Sequence, residues 1–375
     1  MKILKLSSFI AAAVLFAAAG VLAQTAPVKT AKPAVKKAPA AAAKPAAKPA
    51  AKPAAKPAPK TPAAKPAPKA VEKSTQAAPV QPAAPVVSPF DEAVAGLRSA
   101  DGVLRRQAAE TLARSRDQRA APYLTQALSD SVPGVRAAAV DGLCQLARRD
   151  ATPKISEILL KDPAAPVRQQ AAGSLAYMMD PAAGPALVKA LKDKDLAVRY
   201  AAANTIGAMK YAPAEEPLLD ALSDKEMRRI AIAALGQLQS VKAAGKIAAS
   251  LTDADKFTKI EAIKALGSIG DASSSDEIKK FLDKAEDPAI RMEAALALAR
   301  LGLNDGLLTA YDFGRVADLS LKGKALEVFA LTGDARTLQY VEEAYAAEKD
   351  PVSKGMYDFT RQRLSGTLKA KTPAK

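Results

Sequence analysis

From about residue 91 onward, small, apolar and charged positions recur along the chain with gaps of 29 to 32 residues. Each of the first eight units is marked by one basic residue, with Ala three positions later, a large apolar residue at seven and a small residue at eight. Offsets of −1, +3 and +7 lie on one face of an α-helix. Each unit is therefore predicted to contain an amphipathic helix whose alanine lets a neighbouring helix approach closely. The basic positions are Arg105, Arg136, Arg168, Arg199, Arg228, Lys259, Arg291, Lys322 and, as a weaker ninth match, Lys354.

A second apolar segment follows in each unit, with the pattern P-x-L-x-x-A-L in PYLTQAL (122–128) and PALVKAL (185–191). It predicts a second, shorter helix. One such helical hairpin cannot bury its apolar face alone, whereas stacked hairpins bury it jointly. The sequence therefore predicts an all-α fold, an α-solenoid of about eight hairpins over residues 91–366. After Lys354, Tyr357 and Arg361 occupy the Ala and Leu positions, so this segment is expected to cap the stack.

An aspartate precedes the basic residue in every unit. It stands four residues before it in most units, and six before it at Asp130 and Asp162. In DPAIR (287–291) a proline follows the aspartate directly, which is typical of an N-cap followed by the first helical position. We interpret the aspartate as a helix cap that also neutralises the basic residue of its own unit. The aspartates at the four-residue spacing are Asp101, Asp195, Asp224, Asp255, Asp287, Asp318 and Asp350.

The pattern D-x-x-x-R-x-x-A-x-x-x-[LI]-[AG] resembles the HEAT repeat in its short bacterial form, related to the repeats of phycobilisome lyases. The resemblance implies that the first helices form the convex face, that the second helices line the concave face, and that Asp/Arg pairs run as a ladder between units. This chain departs from the long HEAT forms in its period near 31 and in its lysines at 259 and 322. The expected concave positions have neither one sign of charge nor a row of aromatics, and they are Tyr123, Thr125, Gln126, Ser156, Glu157, Val188, Lys189, Asp220, Ser223, Lys279 and Lys280.

The N-terminus has the layout of a secretory signal. Lys2 and Lys5 precede an apolar run from Leu6 to Leu22, and VLA stands directly before Gln24. Such a run is too short and wrongly flanked for a stable membrane span. We therefore predict a signal peptide over 1–23, cleavage near Ala23, and export to the periplasm or the medium. An N-terminal anchor that is never cut is the alternative.

Residues 24–90 consist mostly of Ala, Lys and Pro, and they carry twelve lysines against the single acid Glu72. Proline removes backbone donors and like charges repel, so this segment is predicted to be a disordered linker. A basic tail is predicted over 367–375. The net charge of +16 and the pI near 9.7 therefore belong to the ends of the chain, and the folded region is close to neutral. The linker is expected at most to contact anionic envelope polymers weakly.

Histidine is absent from the chain. This excludes Ser-His-Asp and Cys-His nucleophile pairs, His-ligated zinc, and the His-Glu iron site of HEAT-like deoxyhypusine hydroxylases. Cys144, the one cysteine, falls in the small-residue column, so it is interpreted as a buried structural residue, with a reactive thiol as the alternative. No catalytic, cofactor-binding or metal-binding residue is predicted.

Three functions remain open on the sequence. The favoured one is an exported, non-catalytic scaffold that binds an unidentified protein partner through its concave face. The second is binding of an anionic polymer, such as nucleic acid, lipopolysaccharide or teichoic acid, through the lysines. The third is a lyase-like enzyme subunit.

Overall fold

The computed structural model of the protein describes residues 88–371. The predicted signal peptide, residues 24–87 of the linker and residues 372–375 lie outside the described part. Within it the chain forms eighteen α-helices and no strand, which confirms the all-α prediction.

The helices alternate between two sets, as the two-segment pattern predicted. The first helices carry the basic residue of each unit and are α2 (Gly102–Ser115), α4 (Pro133–Gln145), α6 (Ala165–Met178), α8 (Leu196–Ala208), α10 (Arg228–Leu238), α12 (Lys256–Ile269), α14 (Pro288–Arg300), α16 (Leu319–Thr332) and α18 (Pro351–Lys371). The second helices are α3 (Ala121–Ala127), α5 (Thr152–Lys161), α7 (Gly184–Ala190), α9 (Glu215–Ala221), α11 (Ala244–Ala248), α13 (Ser275–Lys279), α15 (Leu307–Phe313) and α17 (Ala335–Ala347). They are preceded by α1 (Pro89–Gly96), and a 3₁₀ turn leads into each second helix from α3 to α13.

Stacking follows one rule along the described chain. Every first helix packs on the next first helix, from α2 through to α18, and every second helix packs on the first helix that follows it. Each second helix therefore packs more extensively on the first helix of the next unit than on the first helix of its own unit. The helix α1 is the partner of α2 in this scheme. This explains why the folded region begins at Pro89, before the predicted boundary at residue 91.

The N-terminal end of the fold is defined by short-range contacts. The Ser88 hydroxyl accepts the backbone N–H of Asp91 and so caps α1. Phe90 packs edge-on against Tyr123 with ring centroids 6.2 Å apart, and the Arg119 guanidinium lies 4.5 Å from the Phe90 ring centre. These contacts join the first helix of the fold to the first unit.

The predicted columns form the core between the layers. All eight alanines at the third position after the basic residue are at most 6% exposed, and the large apolar residues at the seventh position are at most 1% exposed. The small residue at the eighth position allows first helices to touch. A Cβ added to Gly267 would lie 2.6 Å from the Cα of Ala297 on the following first helix, so only glycine fits this contact.

The core is built from two clusters that meet in α14. One runs from Ala93 to Leu298 and the other from Met292 to Tyr357. Every residue from Ile290 to Ala299 is buried as a result. The second cluster also contains aromatic rings beside its alanines and leucines, and Tyr311, Phe329 and Tyr340 lie with centroids 4.9 to 5.5 Å apart.

The last helix closes this second cluster. Tyr357 takes the alanine position and is 2% exposed, and its hydroxyl donates to the carbonyl of Gly314 at 2.7 Å. Leu364 is also fully buried. These contacts hold α18, which runs from Pro351 to Lys371, against the second cluster.

Cys144 lies in α4 with none of its surface exposed, which confirms the buried interpretation. Burial raises the pKa of its thiol, so the reactive thiolate is disfavoured in the folded chain.

We expect a thiol reagent to leave Cys144 unmodified in native buffer for hours and to modify it within minutes in denaturing urea. The reason is that reaction requires both access to the sulfur and its thiolate form. Absorbance of the released chromophore measures the rate. Fast modification of the native protein would contradict the burial of Cys144.

Candidate binding surface

A row of arginine–aspartate pairs joins consecutive units at the turns where the first helices begin. The side chain of Arg168 is 4% exposed, and its Nε and Nη2 donate to the two carboxylate oxygens of Asp193 at 2.8 Å each. Its Nη1 donates to the backbone carbonyl of Asp162 at 2.8 Å. One guanidinium thus joins the turn before its own helix to the turn before the next one. The other two-point pairs of this kind are Arg105–Asp130 and Arg136–Asp162.

In most units capping and pairing are performed by different acids, which corrects the prediction that one aspartate caps the helix and neutralises the basic residue of its own unit. Asp287 does both, but it pairs with Lys256 of the preceding first helix. Asp195 caps α8 by accepting the N–H of Ala197 at 2.9 Å, whereas the described side-chain hydrogen bonds of Arg199 go to the backbone carbonyl of Asp193 and to Glu226 rather than to the Asp195 carboxylate. The pairing acid stands six residues before the next basic residue, as Asp193 does. A side chain in the first turns of a helix leans towards the N-terminus of that helix. The arginine side chain therefore runs across the helix start, and its guanidinium reaches the turn before the next first helix instead of the aspartate that caps its own helix.

The predicted caps themselves are confirmed in six units. The aspartates that accept a backbone N–H at the start of a first helix are Asp101, Asp195, Asp255, Asp287, Asp318 and Asp350. Asp224 is the exception, since it accepts from Glu226 within the preceding turn and α10 begins only at Arg228.

The row of pairs loses its regularity after the third unit. Leu222 stands where the acid for Arg199 is required, so Arg199 binds Glu226 through Nη2 at 2.9 Å and its Nε is buried without a partner. Lys259 lies 5.7 Å from the centre of the Phe281 ring. Two-point pairs are therefore confined to the first three units of the described chain.

Pairing also shifts the acidity of the aspartates. The hydrogen bonds from Arg168 hold the pKa of the Asp193 carboxyl below its ordinary value of 3.8, against the opposing effect of burial. Near pH 3.8 the unfolded chain therefore takes up a proton that the folded chain does not, so acid favours unfolding. The stabilisation by this carboxylate is full above the unfolded pKa and is lost as the pH falls through the folded one.

We expect the difference in free energy of unfolding between the protein and its Asp193→Asn variant to stay constant from about pH 7 to about pH 5 and to shrink below about pH 4. Urea titrations followed by circular dichroism at each pH measure it. A difference that stays the same down to about pH 2.5 would contradict an ion pair at this position.

A continuous surface runs along the first helices, because each of them touches the next. We define the first-helix face as the residues five and nine positions after each basic residue. All of these except Leu296 are exposed or half-buried. They are Glu110, Arg114, Asp141, Gln145, Gly173, Tyr177, Asn204, Ala208, Ala233, Gln237, Lys264, Ser268, Leu296, Arg300, Glu327, Leu331, Phe359 and Arg363.

The middle of the first-helix face is uncharged. Between Gln145 and Gln237 its members are amides, small residues and one aromatic, Tyr177, whose surface is 56% exposed. Charged members lie towards both ends, from Glu110 to Asp141 and from Lys264 onward. Tyrosine is enriched at protein-binding surfaces, and lysine, glutamate and aspartate are depleted there, so an exposed tyrosine in an uncharged surface fits a binding site.

Hydrogen bonds across α4 and α6 hold the surface beside Tyr177. The carboxylate of Asp141 accepts from Gln145 at 2.6 Å, from Gln170 at 3.2 Å and from Ser174 at 3.1 Å. These side chains are therefore fixed before any partner arrives, which lowers the entropy that binding would cost.

Two surface grooves of about 240 Å³ each also lie between neighbouring first helices. One is formed by α2 and α4 and the other by α16 and α18. The predicted concave positions lie on the second helices, apart from Ser223 and Lys280 in the turns that follow them, and they are mostly exposed. From α3 to α15 these helices are only five to ten residues long, and α5 with α7 is the one pair of them in extensive contact within the described region. They form separate short segments rather than one surface.

No group of His, Cys, Asp or Glu side chains between residues 88 and 371 is arranged to hold a metal ion. None of the helices described has the length and apolar character needed to cross a bilayer.

Comparison with known proteins agrees with the architecture. The family model for HEAT repeats matches residues 90–176, 152–236 and 244–310, which together make up more than half of the chain. The chain belongs to the HEAT repeat family. A search of the curated proteins found no match.

Solved structures of similar fold include other HEAT-like proteins. The complex of CpcE and CpcF of phycocyanin lyase from Nostoc sp. PCC7120 is 24% identical, with 69% of this chain and 98% of that chain covered and a TM-score of 0.39. The Escherichia coli protein YibA is 23% identical, with 64% and 91% covered and a TM-score of 0.45. Human deoxyhypusine hydroxylase in complex with glycerol is 18% identical, with 64% and 95% covered and a TM-score of 0.30. At these identities the likeness concerns the fold alone.

The HEAT repeat match ends at residue 310, close to where the core becomes aromatic. The first-helix face was not singled out by the sequence reasoning, although a signal for it existed. Its members lie between the buried columns at a fixed offset, and an exposed tyrosine at that offset in α6 is unlike the amides and small residues around it.

Proposed function

We propose that this HEAT repeat protein is a non-catalytic scaffold that binds a polypeptide partner across the first-helix face, with Tyr177 as the main anchor. The observation that carries the proposal is the continuous layer of first helices with an uncharged centre around an exposed tyrosine. Helices on the inner side of a bent stack approach more closely than those on the outer side, so we expect this face to be the concave one. The proposal thereby moves the binding surface from the second helices to the first.

The chemistry of the surface indicates the kind of partner. Amide side chains such as Gln145 and Gln237 both donate and accept hydrogen bonds, and tyrosine offers a flat apolar ring. An extended polypeptide with exposed backbone groups and an apolar side chain satisfies both. The charged ends of the face would then select the flanking residues of the partner.

We also propose that the protein is exported from the cytoplasm. The layout of residues 1–23 supports export, with the twelve lysines of residues 24–90 contacting the anionic envelope weakly. Sequencing the N-terminus of the protein isolated from its native cells tests this. A mature chain beginning at Gln24 is expected, and one beginning at Met1 would contradict export.

A residue-specific photocrosslinker tests the binding face. With the crosslinker at position 177 we expect a covalent adduct with a defined protein in living cells. The matched control places it at Gln126, which is exposed on the second helix α3. Adducts formed from position 126 and not from position 177 would show that the partner binds the second helices and would contradict the proposal.

Binding of an anionic polymer is the second candidate, because of the twelve lysines against one acid in residues 24–90. Such binding falls steeply with salt, because counterions are released from the polymer. Packing on the first-helix face depends little on salt. The two functions therefore separate in a salt titration.

A further inference from the structure

The last first helix, α18, has one long side that is not covered by any described part of the chain. In earlier first helices, the positions one and eight after the basic residue are on the side of the following first helix. Gly323 in α16, for example, lies against Met356 of α18, and Ala330 in α16 is 5% exposed. The corresponding residues of α18, Gly355 and Gln362, are exposed, and Val352, Phe359 and Gly366 continue the same exposed strip along the helix. We call these five residues the terminal stripe; Phe359 also belongs to the first-helix face and lines the groove between α16 and α18.

The terminal stripe has the character of a contact surface. Phe359 is 66% exposed and Val352 is 59% exposed, on the longest helix of the described fold, with 21 residues. Its members are spaced alternately by three and four residues, which is the spacing of a seam between two helices.

The two glycines of the stripe differ from the glycines inside the stack. A Cβ added to Gly236 would lie 2.9 Å from the Cα of Ala265 on the next first helix, whereas one added to Gly355 or Gly366 would meet nothing within 4 Å. Glycine in the interior of an exposed helix is less favourable than alanine. Inside the stack this loss is offset by close helix packing. On α18 no described part of the chain packs against Gly355 or Gly366.

We propose that the terminal stripe binds the terminal stripe of a second copy of this chain, with the two α18 helices antiparallel. The stacking interface that joins all earlier first helices would then continue across a two-fold axis. With the axis between Phe359 and Gln362, Gly355 faces the partner's Gly366 and Phe359 faces the partner's Gln362. The two glycine pairs let the helices approach closely, and the phenylalanines fill the space between them.

Two further observations favour a two-fold pair over head-to-tail stacking. The opposite end of the stack, on α2, presents the polar side chains of Gln107 and Thr111 beside Leu104, so it does not match the apolar stripe. The stripe itself has no charged member to be repelled by its copy. The contact is made by a single pair of 21-residue helices, which is small beside the roughly 1,200–2,000 Å² of standard stable interfaces, so we expect a weak dimer.

Sedimentation equilibrium of the purified protein from about 1 to about 300 µM tests the proposal. We expect a monomer–dimer equilibrium that Phe359→Glu weakens at least about tenfold, because the charge enters an apolar contact. The matched control is Phe257→Glu, since Phe257 is 56% exposed on α12 and lies outside the stripe. A monomer at all concentrations, assemblies larger than a dimer, or equal effects of the two variants would overturn the proposal.

Disulfide trapping tests the antiparallel geometry independently of the Phe359 variant. Mixing Gly355→Cys protein with Gly366→Cys protein should give a crosslinked dimer, and neither variant alone should give one. Crosslinking of each variant with itself would indicate a parallel pair and overturn the arrangement. Phe359 is the one residue that the terminal stripe shares with the first-helix face, and Tyr177 takes no part in these contacts. Failure of the dimer would therefore leave the proposed partner binding at Tyr177 untouched.

Discussion

Replacement of Arg168 by alanine should lower the free energy of unfolding by about 3 kcal/mol. The arginine side chain is 4% exposed and that of Asp193 is 11% exposed, so the variant leaves a carboxylate largely shielded from water without its cation. The backbone carbonyl of Asp162 also loses a donor that lies 2.8 Å away in the protein. Breaking a buried pair from one side costs this much because the remaining charge stays desolvated.

Lys259→Ala is the matched control for this experiment. Lys259 occupies the same position of its unit, but its ammonium makes no ion pair among the described residues and lies 5.7 Å from the Phe281 ring centre. We expect a loss below about 1 kcal/mol. Urea unfolding followed by circular dichroism measures both variants, and equal losses would show that the two-point pairs do not join the units.

Replacement by alanine should change the free energy of unfolding in opposite directions at two glycines of the first helices, Gly267 and Gly173. In Gly267→Ala the new Cβ lies 2.6 Å from the Cα and 2.8 Å from the Cβ of Ala297, so α12 and α14 must move apart. We expect a loss of about 2–3 kcal/mol, as for other overpacked cores. In Gly173→Ala the new Cβ meets nothing within 4 Å, and the greater helix propensity of alanine should stabilise the protein by about 0.5–1 kcal/mol.

Thermal and urea unfolding of the two glycine variants measure these changes. Both substitutions add one methyl group to a first helix. The difference between their free energies of unfolding therefore reports the contact between neighbouring first helices. Changes of the same sign would contradict the close approach of α12 and α14.

The repeat itself was predictable because burial is periodic. The Ala at the third position and the Leu or Ile at the seventh occupy the same environment in every unit, so selection for packing leaves the same residue types there. Cys144 was correctly interpreted for the same reason, since it stands in the small-residue column.

Contacts between units were less predictable. Both Asp193 and Asp195 lie close in sequence to Arg199, and spacing along the chain favours a pair within one unit. The actual pair is Arg168–Asp193, whose two residues are 25 positions apart in the sequence and belong to neighbouring units. The sequence does contain an acid 25 or 26 residues after each of the first three arginines. This spacing predicts an ion pair only if the turns of neighbouring units are already known to lie beside one another.

The sequence could not show which set of helices forms the continuous surface, because it did not give the lengths of the second helices. The pattern P-x-L-x-x-A-L marks the second helices but does not show that α11 and α13 have only five residues each. Because these helices are short, they do not form a continuous layer. The uninterrupted surface is on the first helices, where alanine and glycine columns bring consecutive helices together.

The account is tested most directly by capture from an extract of the native cells at about 0.5 M salt, where exposed charges are largely screened. Three immobilised proteins are compared: the unmodified protein, Tyr177→Glu in the centre of the first-helix face, and Phe257→Glu as an exposed aromatic outside it. We predict that the unmodified protein and Phe257→Glu retain the same protein partner and that Tyr177→Glu loses it. Retention of that partner by all three, or of anionic polymer alone and only at low salt, would contradict binding through the first-helix face.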